Sequence, residues 1–217
     1  MKHYFNCYHY FLSGTLTKEI LYVLYPFVTL CFSIPICSIG RGLTEVSLLI
    51  ISWIILSVEL LIDFLCFGGL LAKETDKFTF LHTSAKGISL LKKALRTDLF
   101  RKALCATFLL LVGSCVKLTW ADLWKVIITI LVTLLSLELC QFVTRQISST
   151  TLYMLFFSVA FWIYFVISQF FMELLDFNPF LKIPCCVLLA IVYLCVHFLG
   201  EKWILTKARK SLYDETV

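Results

Sequence analysis

Basic residues are absent from several stretches of about 20 residues in this 217-residue chain, while eight of its nineteen Lys and Arg crowd between Lys73 and Lys102. Charge of either sign is scarce: 15% of residues, against about 25% in a soluble domain. That scarcity excludes an ordinary water-facing surface. The chain also lacks an HExxH pair, a GxSxG elbow, a phosphate-binding glycine loop and a CxxC pair. With no nucleotide site of its own, it is not expected to hydrolyse ATP, and no catalytic residue is assigned. His3, His9, His82 and His197 form no ligand-spaced group, so no metal is expected. Internal repeats, low-complexity tracts and a soluble domain of useful size are missing too. Met1 to Gly14 is aromatic and polar, which argues against a cleavable signal peptide.

What is present is apolar. The hydrophobic fraction is 60% and the mean hydropathy +0.93, far above the roughly 45–50% of soluble domains. The net charge of +5 is then explained by cytoplasmic flanks of membrane spans, and nucleic acid is not an expected partner. Most of the ten cysteines, among them Cys31, Cys66, Cys105, Cys140 and Cys195, fall in or beside apolar runs and act as small hydrophobes. Adjacent Cys185 and Cys186, near an expected outer boundary, leave a redox role open.

Six apolar runs cover about 19–39, 45–71, 99–117, 124–143, 150–172 and 184–200. A hydrocarbon core of about 30 Å needs about 20 helical residues. The third run is the weakest: its strictly apolar part, Ala103 to Val116, has 14 residues, and its flanking Arg101, Lys102 and Lys117 are expected to snorkel. Six spans with both termini inside put fifteen of the nineteen basic residues on the cytoplasmic side. Inversion would expose the dense basic loop and the basic tail outside. The expectation is therefore a single all-α domain, residues 1–217, with six transmembrane helices, cytoplasmic termini and an interfacial helix over residues 2–14.

Between the second and third runs lies a cytoplasmic loop, residues 73–102. Ser84 is a plausible N-cap, and Ile88, Leu91, Leu95 and Leu99 trace an apolar stripe with Lys92, Lys93 and Arg96 around it. One reading is an anchor on anionic lipid and another a lateral helix that docks on a partner, while part of the stripe can also be the cytoplasmic start of the third span. Asp98 and Lys102 are spaced for an ordinary i,i+4 pair.

Acidic residues inside the apolar runs are candidate functional groups, because a charge at that depth is costly unless it faces protein or water. Glu59 and Asp63 lie one turn apart in the second run, Glu138 and Gln141 in the fourth, and His197 in the sixth. Together they form a candidate polar path or gate. If Asp63, Glu138 and His197 meet, like charges require one carboxyl to keep its proton; the alternative is a paired packing network. Between the fifth and sixth runs, Glu173, Asp176, Phe177 and Pro179 belong to an aromatic link expected to form a short interfacial or re-entrant element.

This arrangement resembles the exporter-type permease subunit of bacterial ABC transporters, with Phe80 to Lys102 (FLHTSAKGISLLKKALRTDLFRK) resembling the loop such permeases offer to their ATPase. The resemblance implies a coupling position over Thr83 to Leu91, including Ser84, Lys86, Gly87 and Ile88, with Lys92 and Lys93 beside it. Residues 2–14 match the interfacial helix and 171–182 the extracellular element. It further implies residence in the bacterial inner membrane among its lipids, a second permease, identical or related, and a cytoplasmic ATPase partner that carries the ATP. This chain would bind no cofactor. Two other classes stay open: a non-transporting docking, immunity or assembly subunit, and an intramembrane enzyme or proton-coupled carrier using Asp63, Glu138 and His197.

Overall fold

The computed structural model of the chain describes residues 11, 18–39, 45–71, 86–114, 123–177 and 179–213. It is all helix: α1 (Tyr25–Ile39), α2 (Glu45–Phe67), α3 (Gly87–Ser114), α4 (Leu123–Thr144), α5 (Thr150–Phe177) and α6 (Lys182–Tyr213). Four of the six are long and apolar enough to cross a membrane, through Val46–Phe67, Leu123–Thr144, Thr150–Phe171 and Lys182–Ala208. The apolar part of the first, Leu21–Phe32, is shorter, and α3 fails the test because its first half is charged.

Local chemistry explains the helix ends. A π turn, Ile20–Leu24, stands directly before Pro26 in the first turn of α1. Pro26 has no N–H to give and its ring crowds the carbonyl four residues back, so the wider turn relieves a clash. Pro184 falls in the first turn of α6, where a missing N–H costs nothing. Helix α2 stops at a Gly68-Gly69 pair, with Gly69 at φ 67°, a left-handed cap that a Cβ would strain. The chain then docks on the end of α4, as the Leu71 amide donates to the Arg145 carbonyl at 3.3 Å.

Helix α4 is the hub, packed against α2, α3, α5 and α6, while α1 covers α2 and α3. More than half of the apolar stretches of α2 and α4 is buried, 56% and 61%, against 17% for α5 and 22% for α6. One side of the bundle is therefore an apolar surface of α5 and α6. Helix α5 is held to the hub by Tyr164, whose hydroxyl donates to Ser52 of α2 and lies 3.2 Å from Thr133 of α4.

Three expectations change. The third helix begins at Gly87, well before the apolar run, so the basic segment up to Lys102 is the first half of a 28-residue helix. Leu91 and Leu95 of its stripe are buried in the bundle. Arg101 and Lys102, expected to snorkel to a membrane surface, are also buried, because acids on α2 neutralise them there. The aromatic link after α5 continues that helix to Phe177, and Pro179–Leu181 forms a 3-10 turn leading into α6.

Candidate functional site

The site lies at the end of the bundle where α2, α4 and α6 run out and α3 and α5 begin, called here the basic end. Glu59 and Asp63 occupy one face of α2, eight and four residues before its last residue, about 12 and 6 Å along the axis. Helix α3 runs antiparallel beside them and presents Asp98, Arg101 and Lys102, spaced three and four residues apart, on its facing side.

The pairing is dense. Arg101 grips Glu59 with both Nη atoms, at 3.0 and 2.6 Å, and also donates to Asp98 at 3.2 Å. Lys102 Nζ donates to Asp63 at 3.0 Å and to Asp98. Arg145, just past the end of α4, donates to Asp63 at 2.9 Å, to the Gln141 side-chain oxygen at 2.9 Å and, more weakly, to Asp98 at 3.4 Å. Thr144 donates to the second Asp63 oxygen at 3.0 Å. The Arg145 guanidinium also stands 5.1 Å from the centre of the Phe67 ring, against which Phe11 packs. Three carboxylates thus face three cations in a fully buried cluster that ties α2, α3 and the end of α4 together.

Balance is the point of this arrangement. A buried ion lacking a partner costs several kcal/mol, and bidentate, multiply bonded pairing is what makes burial tolerable. Each acid of the cluster has at least one cation within 3.0 Å.

A second group lies alongside. His197 Nδ1 of α6 is 3.4 Å from Glu138 of α4, and its Nε2 is 3.9 Å from Glu201 one turn on. Arg96 of α3 closes this group, donating from Nε to both Glu201 oxygens at 3.2 Å. Close approach of α4 and α6 depends on Gly200: a Cβ there would stand 2.1 Å from the Phe142 ring. Between the two groups is a void of about 10 Å³, edged by Glu138, Arg145, His197 and Glu201, with room for a single water.

No family model matches this chain, and no curated protein or solved structure is significantly similar to it. Its class rests on its own geometry: an all-α, polytopic membrane protein with several long apolar helices.

The structure brings Asp63 and Gln141 together through Arg145, Glu59 into the same cluster through Arg101, and Glu138 with His197 in the neighbouring one. It does not bring Asp63 into contact with His197. The i,i+4 pair of Asp98 and Lys102 forms as their spacing led us to expect, but the sequence did not place Asp98, Arg101, Lys102, Arg145, Arg96 and Glu201 in a site with the acids of the apolar runs. Their signal was present as complementary spacing: acids one turn apart in one run, cations and an acid one turn apart at the start of the next. Among the coupling residues, Gly87 and Leu91 are buried, Lys86 and Lys92 are exposed, and Ile88 and Lys93 are half-buried. Thr83 and Ser84 lie outside the described residues, as do residues 2–14 apart from Phe11. Glu173 is exposed near the end of α5; Asp176 and Phe177 complete that helix, and Pro179 opens the turn after it. Among the described residues, no group of His, Cys, Asp and Glu is arranged to hold a metal.

Proposed function

We propose that this chain is the membrane-spanning permease subunit of an ATP-driven exporter, coupled to a separate cytoplasmic ATPase through the exposed end of α3. One observation carries this reading: α3 is a single helix whose outer end exposes Ser89 and, just before its first residue, Lys86, and whose middle is cross-linked to α2 and α4 by buried ion pairs. A rigid helix anchored in that way is a lever. Displacement of its outer end by a partner would be passed to α2 through Arg101–Glu59 and Lys102–Asp63, and to the end of α4 through Asp98 and Arg145.

The basic end is then cytoplasmic. Exposed Lys86, Lys92, Arg96, Lys202 and Lys207 gather there, in keeping with the positive-inside bias. The expected six crossings follow if α1 and α3 complete their spans inside the assembly, where α3's charges stay paired. A second permease would meet this one along apolar helix surface, and the substrate path would form between the two. A proton-coupled carrier using Asp63, Glu138 and His197 is less well supported, because Asp63 is held by Lys102 and Arg145, apart from the Glu138–His197 pair.

The test is reconstitution with the ATPase that co-purifies from the native host. Lys86→Glu with Ser89→Glu should lower permease-stimulated ATP hydrolysis severalfold while the chain still inserts and retains its thermal stability. Undiminished stimulation would remove the end of α3 from the coupling path.

A further inference from the structure

At the basic end, α3 and α6 leave a groove of about 300 Å³ between them, walled by Lys92, Arg96, Lys202, Thr206, Phe198 and Leu205, with Glu201 at its floor. Three cations against one carboxylate leave the groove positive, and Glu201 is already engaged by Arg96. The walls do not stay charged. On α3, Phe100 and Leu104 follow Arg96 at steps of four, and both are more than half exposed, 53% and 55%. On α6, Phe198, Leu194 and Ile191 precede Lys202 at steps of four, four and three, exposed at 60%, 47% and 52%. The groove therefore has a basic mouth and two apolar rails that descend from it in the same direction.

We infer that this groove is a binding site for a phospholipid with an anionic headgroup. The headgroup phosphate is met by Lys92, Arg96 and Lys202, while its acyl chains lie along Phe100–Leu104 and Phe198–Leu194–Ile191. The site falls where α6 passes from its apolar stretch to Glu201 and Lys202, the level at which a headgroup sits. Basic pockets between membrane helices are known to select anionic headgroups, each nearby cation adding about 1 kcal/mol of attraction to an anionic surface. An acidic protein segment would satisfy the cations but would have no use for the exposed apolar rails below them. This assignment does not depend on the exporter reading.

The test uses the full chain in detergent, titrated with phosphatidylglycerol or phosphatidylcholine and read by native mass spectrometry. One phosphatidylglycerol should be retained at about tenfold lower lipid concentration than phosphatidylcholine. Lys92→Gln with Lys202→Gln should erase most of that preference at unchanged helical content. Lys125→Gln with Lys182→Gln, which removes the same charge at the opposite end, should leave it intact. Water-soluble glycerol phosphate should not displace the lipid. Equal retention of the two lipids, a preference that survives the groove substitutions or falls equally in the control pair, or displacement by glycerol phosphate would each overturn the assignment.

Discussion

Arg101 and Glu59 meet across the α2–α3 interface as a two-pronged pair, both Nη atoms on both carboxylate oxygens, with the Arg101 and Glu59 side chains 7% and 0% exposed. An acid deep in an apolar helix is costly alone. Here it fixes the position of a helix whose own first half is too charged to enter a bilayer unaided.

Asp63 accepts from three side chains, Lys102, Arg145 and Thr144. Asp63→Asn leaves two buried cations sharing Asp98 and should destabilise the protein by about 3 kcal/mol. Adding Lys102→Met to that variant should recover a large part of the loss. Thermal unfolding in detergent, followed by tryptophan fluorescence, measures both.

Removing charge from the half-exposed pair should matter much less. Arg96 is 50% exposed at its side chain where it meets Glu201, so solvent screens the interaction. Arg96→Gln is expected to cost about 1 kcal/mol or less in the same assay. The contrast with Asp63→Asn separates the buried cluster from its rim.

Gly200 lets α6 lie on the Phe142 ring, one turn beyond His197, which faces Glu138. Gly200→Val should destabilise by about 1–3 kcal/mol through overpacking. Phe142→Ala introduced with it should restore stability beyond what Phe142→Ala does to the unaltered chain. Unfolding midpoints of the single and double variants give the answer.

Tyr164 carries the polar tie between α5 and the hub, and little else of α5 is buried. Tyr164→Phe should cost about 1 kcal/mol globally. Its larger effect should be local: faster amide exchange in the middle of α5 than in α4.

The helices were legible because apolar runs of span length leave few alternatives, and the charge asymmetry marked the basic end. Glu59, Asp63, Glu138, Gln141 and His197 stood out because acids and amides in such runs need a reason. Their partners did not. Arg101, Lys102 and Arg145 lie at the ends of apolar runs, where basic residues ordinarily mark the cytoplasmic side, and topology alone accounted for them. Only the antiparallel register of α2 and α3 puts Arg101 at Glu59 and Lys102 at Asp63. The same register explains why the stripe of Leu91 and Leu95 faces the bundle: the helix that carries it begins before the membrane-length run and packs along its whole length.

Buried ion pairing joins α3 to α2, and a double-mutant cycle at Glu59 and Arg101 measures that coupling. Glu59→Gln and Arg101→Gln are made singly and together, and unfolding free energies are measured by denaturant titration in mixed micelles. Each single change is expected to cost about 3 kcal/mol and the pair to couple by at least about 2 kcal/mol, so the double variant loses far less than the sum. Strictly additive losses would contradict it, since Glu59 and Arg101 would then act independently and α3 would not be held by this pair.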